Sequence, residues 1–488
     1  MRDFDRRSFT RLATLGLLAA ATGGLAGCER KAKAPADSAD AAGEGSRLGQ
    51  TLLKHFAQGA TGGAAKPTRV IIVGAGSAGL AAARVLSDSG VEVTVLEARD
   101  RLGGRTWTAN VHGAVIDMNG GMIQDAEINP LVGVYRDMNW ATKPAPSPVD
   151  MHVNVYDAMT KSSLNEVQKL NLVRHQRGLA APKASPTNAA DDYPIEQWTR
   201  EYFDNSGLKG AERRMIEAML RTGSSTDGRD KSMRWRSELP KHGGEDLLPV
   251  GGFVGMINAL ADGLDVKLGH AVTKVSFEGD KASVTANGQT FTGSHVLLTA
   301  PAGSLKAGGV QFDPPLPPEK QAAIRDTGMA LMEKFAMAFA KPLPDNFTTR
   351  VFYDGRDGRR LTFQNVSKNA GQPLAQCYVH TDYISQFVRH VRDERQRIVL
   401  AALREMLGDP GLSPIETLQS DWTDSPYSRG AYSYIKVHKG PEVINALAAP
   451  LNGGRLLFAG EATDVNRHSY VDGAVASGVR EARRILNT

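Results

Sequence analysis

Residues 70–105 read VIIVGAGSAGLAAARVLSDSGVEVTVLEARDRLGGR. Val70 to Val73 is an apolar run, the pattern of a strand buried in a parallel sheet. Gly74, Gly76 and Gly79 follow as G-x-G-x-x-G. Leu80 to Leu86 continues as a helix, and Gly90 ends it. Val91 to Leu96 is a second strand, and it delivers Glu97, roughly twenty residues beyond the first glycine. The glycines permit a tight turn and a close backbone approach. The helix N-terminus favours a pyrophosphate, and the acid suits a ribose hydroxyl. Strand before, helix after and acid beyond make this a dinucleotide-binding unit rather than a bare glycine turn.

The same stretch ends Glu97-Ala98-Arg99-Asp100-Arg101-Leu102-Gly103-Gly104-Arg105. This run resembles the FAD-binding signature of the flavin amine oxidases, the family of monoamine and polyamine oxidases. There the second Gly-Gly-Arg lies along the diphosphate and the flavin. The resemblance implies FAD as cofactor, with Arg99, Gly104 and Arg105 beside it. It also implies an α/β fold with two domains. One is a discontinuous doubly wound FAD-binding domain over 67–135, 236–311 and 430–488. The other is an α+β substrate domain, a mixed sheet with helices, over 136–235 and 312–429.

Composition agrees with a large enzyme. The chain has 488 residues, 41% hydrophobic and 23% charged, enough for two sizeable cores. A net charge of +5 is modest for this length, and no basic stripe with interleaved aromatics argues for nucleic acid. There is no H-E-x-x-H and no C-x-x-C, and the histidines are dispersed, so a metal has no sequence support. Nothing in composition sets an oligomeric state.

The first residues read as an address. Arg6-Arg7-Ser8-Phe9-Thr10-Arg11 resembles a twin-arginine export signal, and Leu12 to Ala26 is apolar but short for a membrane span. Leu25-Ala26-Gly27-Cys28 resembles a bacterial lipobox, whose cysteine is acylated. Residues 1–28 are therefore expected to be an export signal and Cys28 a lipid anchor, giving a periplasmic, membrane-anchored protein exported folded. With Cys28 lipidated, Cys377 is left without a disulfide partner. Residues 29–66 read as a disordered tether. Within it Leu48, Leu52, Leu53 and Phe56 share one helical face, which either docks on the globule or touches the membrane.

Further matches run along the chain. Ile116-Asp117-Met118-Asn119-Gly120-Gly121-Met122 resembles the family segment that passes the flavin ring, with Gly120 and Gly121 at its centre. Residues 131–236 read as mostly helical. Short strands follow, with Asn287-Gly288 as a hairpin turn between 282–286 and 289–292. Val272 stands where the family reads the adenine edge. Gly460-Glu461 and the segment Asp472-Gly473-Ala474 match the family's final cofactor contacts, with Gly473 and Ala474 opening the last helix. Trp422 matches a position near the flavin.

Lys334 is the candidate for reoxidation. Its strand alternates, with Leu331, Phe335, Met337 and Phe339 on one face and Met332, Lys334, Ala336 and Ala338 on the other. In the family a lysine at the matching place holds a water against the flavin. By the same resemblance Tyr432 and Tyr470 flank the substrate amine. Met122 and Gln124 stand where relatives contact substrate. Ala431 stands where animal monoamine oxidases carry the cysteine that bonds FAD, so the cofactor is expected to be non-covalent. The expected function is oxidation of an amine to an imine, which water hydrolyses to a carbonyl compound plus amine or ammonia. O2 is reduced to H2O2. Three alternatives stay open: an L-amino acid oxidase, marked by a buried arginine facing the flavin; an amine dehydrogenase passing electrons to a cytochrome or quinone; and a redox-silent FAD-binding module.

Overall fold

A computed structural model describes residues 41–56, 69–145, 153–180, 186–221, 228–235, 244–380 and 383–487. Five parallel strands form its central sheet, in the order Leu456–Phe458, His295–Leu298, Arg69–Val73, Glu92–Leu96, Asp265–Lys267. The apolar run of the fingerprint strand serves both faces. Val70 and Ile72 join one core, and Ile71 and Val73 the other. The first core is covered by the fingerprint helix Ser77–Asp88, the final helix Val471–Leu486 and the helix Val254–Ala261. The second is covered by Pro318–Asp326, Pro441–Ala448 and a four-stranded sheet. Layers on both sides make this a doubly wound α/β fold. In the four-stranded sheet Ala286 pairs with Gln289 across Asn287 and Gly288, whose φ values of 49° and 75° suit the tight hairpin the dipeptide announces.

A second, seven-stranded mixed sheet runs Pro414–Gln419, Met332–Phe339, Leu374–His380, Arg359–Asn365, Thr349–Asp354, Asn154–Asp157, Ser162–Ser163. The strand Met332–Phe339 is interior, paired on both sides. Its alternation is realised. Phe335, Met337 and Phe339 enter a core closed by the helix Arg392–Leu407, while Met332, Ala336 and Ala338 pack on the hairpin Trp107–Val111 and Ala114–Asn119. The reading of 131–236 as mostly helical needs correction. Helices Glu166–Ala180, Ile195–Asp204 and Gly210–Arg221 are present, but so are the strands Thr142–Pro144, Asn154–Asp157 and Ser162–Ser163. Asn154–Asp157 is completed by Thr349–Asp354, a parallel partner far along the chain, so no local pattern marks it.

The tether reading is also corrected. Ala41–His55 is a helix, and Leu48, Leu52 and Phe56 are buried in the core under the fingerprint helix and the helix Pro130–Asp137. Lys54 and His55 reach the Asp137 carboxylate at 2.6 and 2.7 Å, and the Gly49 amide donates to Asp88 at 3.1 Å. The apolar face that could have met either globule or membrane thus meets the globule, and the fold starts before Pro67. The export signal, Cys28 and residues 29–40 and 57–66 lie outside the described residues.

Candidate active site

The fingerprint turn is built for close approach. Gly74 leaves its strand at φ 105°, where a Cβ would lie 2.5 Å from Thr299 Oγ1. A Cβ on Gly79 would lie 2.0 Å from the Gly74 carbonyl oxygen. Gly76 caps the fingerprint helix without any side-chain hydrogen bond, so the first amides of that helix have no intrahelical or capping acceptor. The Gly103 amide donates to Ala75 O at 2.9 Å, and a Cβ on Gly104 (φ 58°) would sit 3.3 Å from Gly76 Cα. The two glycine motifs therefore lie against each other. Glu97 is buried beside them and accepts from the Ala75 and Arg99 amides, each at 2.8 Å. Two further amides, Gly269 to Arg99 O at 2.9 Å and His270 to Glu97 O at 2.7 Å, lead the chain to Val272, buried at the start of its strand.

The chain's C-terminal stretch reaches the same edge of the sheet. Gly460 turns at φ 132° after the outer strand and donates its amide to Ser477 Oγ at 2.9 Å. A Cβ on Gly473 would lie 1.9 Å from Arg467 O, and one on Gly478 would lie 2.1 Å from Ala78 O, so the final helix needs glycine at both close approaches. This helix, with Gly473 and Ala474 in its first turn, also lacks a side-chain cap at Tyr470. Arg105 joins the motifs, donating to Glu461 at 2.8 Å and to Ala431 O at 3.3 Å. Burial alone would raise the Glu461 carboxyl, but Arg105, His468 and Ser433 hold it below its ordinary range. Two uncapped helix N-termini, a glycine cradle and a buried acid at the carboxyl ends of parallel strands suit a dinucleotide in donor set and in clearance.

The other candidates gather under the hairpin. Lys334 is buried, and its ammonium donates to Asp117 O, 5.0 Å from the Tyr378 ring centroid. Trp422 is wholly buried. Its indole N–H donates to Met118 O at 3.3 Å, and it meets Trp107 edge-on at 5.8 Å. Asp117 leads into Gly120, where a Cβ would lie 3.1 Å from Val471 at the start of the final helix, and Gly121. Burial pushes the Asp117 carboxyl up, against the pull of Thr108, Lys334 and the Phe253 amide. Arg99 lies beside Trp422, its guanidinium 5.8 Å from the ring centre, and donates to Ser425 at 2.9 Å. Tyr432 is half-buried in the same apolar cluster as Trp422. Its neighbour Ser433 accepts at the carbonyl from the Ser469 hydroxyl, which ties the Tyr432 segment to the Tyr470 segment.

Tyr470 carries a group that the sequence reading missed. Arg467 stacks on the Tyr470 ring at 4.4 Å and is itself buried. Its guanidinium donates to Asp125 at 2.8 Å, to Gln124 O at 3.1 Å and to both oxygens of Asp472. Asp246 accepts the Asp125 amide at 3.1 Å, and burial pushes its carboxyl up to about 6. Burial also pushes the Tyr470 hydroxyl up to about 12. Met122 is exposed and Gln124 half-buried, on the loop that Arg467 binds. The sequence signal for this cluster was weak, because Asp125, Asp246 and Arg467 are far apart in the chain. Tyr378 was also missed, although it faces Lys334 in the strand register.

Known proteins fit this geometry. The family model of flavin containing amine oxidoreductases matches residues 77–486. Polyamine oxidase 4 of Oryza sativa subsp. japonica is 31% identical over 443 residues, covering 86% of this chain and 90% of its own. Polyamine oxidase 2 of Arabidopsis thaliana is 30% identical over 435 residues, covering 85% and 87%. Among solved structures, a redesigned putrescine oxidase superposes with a TM-score of 0.67 at 23% identity, covering 87% of this chain and 99% of its own. Wild-type putrescine oxidase bound to putrescine gives 0.63 at 22% identity, covering 86% and 99%, a likeness of fold. The chain belongs to the flavin-containing amine oxidoreductases, and it is an oxidoreductase that acts on amines.

Proposed function

We propose that this protein binds FAD non-covalently and oxidises the C–N bond of an amine to an imine, which water hydrolyses to an aldehyde or ketone plus amine or ammonia, with O2 reduced to H2O2. The observation that carries the reading is Lys334, a buried ammonium held on the Asp117 carbonyl just before Gly120 and Gly121. Burying an ammonium costs free energy, which a hydrogen bond to one carbonyl only partly offsets. FAD, when bound, supplies the two-electron acceptor. The chain supplies the surroundings. Glycines 74, 76, 79 and 104 would lie along the diphosphate, with Glu97 at the adenosine ribose, Val272 at the adenine, and Arg99, Arg105 and Glu461 beside the phosphates and ribityl chain. The first turn at Gly473 and Ala474 would bring the positive end of an uncapped helix to the anionic side of the ring. Gly120, Gly121 and Trp422 would line its edge. Tyr432 and Tyr470 would exclude water and orient the amine, with Met122 and Gln124 at its outer end. Ala431 offers no thiol for a covalent link.

The charge pattern supports an amine over an amino acid. The arginines at this end are already engaged: buried Arg467 by Asp125 and Asp472, half-buried Arg105 by Glu461. Neither guanidinium is left for a substrate carboxylate. Above the titration of Asp246, three carboxylates at 125, 246 and 472 stand against the one charge of Arg467, an excess that suits a cationic amine chain such as the di- and polyamines named in the relatives. We also infer export by the twin-arginine route and a membrane anchor at Cys28, from the sequence of residues 1–28. Mass spectrometry of the mature N-terminus tests this; a chain cut elsewhere and unacylated would contradict it. The redox-silent alternative fits poorly with a buried Lys334, while a cytochrome or quinone acceptor stays as an outcome of the kinetics. The test of the main reading is product analysis in air. One amine class is expected to give stoichiometric peroxide and a trapped carbonyl product, and Lys334→Met is expected to slow reoxidation by O2 more than reduction by amine. Equal slowing of both half-reactions would remove Lys334 from that role.

A further inference from the structure

A carboxylate sits one residue from Lys334 on the opposite face of the same strand. Glu333 is wholly buried in an interior strand of the seven-stranded sheet. Among the described residues, no cation lies within ion-pair distance of it. A buried acid without a cation must be satisfied by hydrogen bonds, or it is strongly destabilising. Its partners are three donors from one short loop: the Ser420 hydroxyl, the Trp422 amide at 3.3 Å and the Thr423 amide at 2.9 Å. Three donors on two oxygens match the acceptor capacity of a carboxylate, and they pull against burial, which pushes this carboxyl up.

That loop closes a circuit through the candidate site. Ser420 brackets Lys334, accepting its amide at 2.8 Å and donating to its carbonyl at 2.9 Å. Two residues on, the Trp422 indole donates to Met118 O, and the Lys334 ammonium donates to the adjacent carbonyl of Asp117. The tips of Lys334 and Trp422 thus end on consecutive carbonyls of one strand, and their backbones are joined through Ser420 and the Glu333 carboxylate. Remove the carboxylate and the loop loses the acceptor that gathers Ser420, Trp422 and Thr423 on one point.

We propose that Glu333 is the positioning residue for Lys334 and Trp422, setting the ammonium and the indole against the strand that leads to Gly120. The proposal rests on the reading of Lys334 as the residue that assists reoxidation. A glutamine at 333 keeps the shape but replaces one acceptor oxygen with an N–H2 group that faces donors. Losing one hydrogen bond to a charged acceptor is expected to slow the dependent step roughly tenfold.

The experiment uses the purified holoenzyme and three variants, Glu333→Gln, Glu333→Asp and Lys334→Met. Stopped-flow follows flavin reduction by amine and reoxidation by O2 separately. Near-ultraviolet circular dichroism follows the coupled Trp107 and Trp422 pair, a readout independent of turnover. Glu333→Gln is expected to slow reoxidation about tenfold with reduction within about twofold, and to flatten the tryptophan signal. Glu333→Asp, which keeps the charge, is expected to fall between it and wild type. An unchanged tryptophan signal with an unchanged ratio of the two rates would overturn the proposal. So would equal slowing of both half-reactions in Glu333→Asp, which marks general structural damage. If Lys334→Met is silent, the lysine reading fails on its own; if Lys334→Met slows reoxidation and Glu333→Gln does not, only the positioning role fails.

Discussion

The two ends of the candidate site are built on opposite plans. At the fingerprint end the work is done by backbone: bare amides, positive φ and missing Cβ atoms at Gly74, Gly79 and Gly104, all from one stretch of the chain. At the amine end it is done by side chains from distant segments, with Asp117, Lys334, Trp422, Arg467 and Tyr470 tied by hydrogen bonds and ion pairs. A phosphate chain is bound by dipoles that carry no net charge and cost nothing to desolvate as ions. A cationic substrate needs charge, and buried charge must be balanced group by group. The first end should therefore fail by steric exclusion and the second by electrostatic imbalance.

The largest expected effect breaks the backbone-built end. Gly79→Val places its Cβ about 2.0 Å from the Gly74 oxygen and its branches further in, so the turn must open. The variant is expected to purify without flavin absorbance, while retaining much of its secondary structure by far-ultraviolet circular dichroism. Next comes a charge at the other end. Arg467→Met leaves Asp125 and Asp472 buried and unpaired, which costs about 3–5 kcal/mol and lowers the melting temperature by roughly 4 °C. Adding Asp125→Asn should restore part of that loss, as a purely steric account would not predict.

The smallest effect sharpens the comparison through pH. The Asp246 carboxyl is pushed up to about 6 by burial, so the folded state holds that proton more tightly than the unfolded chain. Stability is then fully present below the ordinary carboxylate value, falls as pH rises toward about 6 and stays reduced above it. Asp246→Asn keeps an acceptor for the Asp125 amide and removes the charge. It should raise the melting temperature by a few degrees at pH 8 and leave it unchanged at pH 4, measured by differential scanning calorimetry. A gain of the same size at both values would remove Asp246 from this account.

The same contrast explains what could be read in advance. Residues 70–105 carry their fold in local order: strand, glycines, helix, strand, acid. The alternation from Leu331 to Phe339 likewise gave both faces of a strand, and Asn287-Gly288 gave a turn. Arg467 and Glu333 were not legible, because a buried charge is explained only by its partners, and those lie at 125 and 472 or at 420–423. The strand Asn154–Asp157 hid for the same reason, since its register is fixed by residues about two hundred positions later. The helix Ala41–His55 was visible as an apolar face, but its docking on Pro130–Asp137 is a tertiary fact.

The account's central claim is met most directly by anaerobic reduction of the bound flavin. The purified holoenzyme would be mixed with monoamines, di- and polyamines, and L-amino acids, and then exposed to air. Fast bleaching by an amine class, none by amino acids, and recovery in air with peroxide is the predicted result. A flavin that stays oxidised with every amine, or that bleaches only with amino acids, would contradict it.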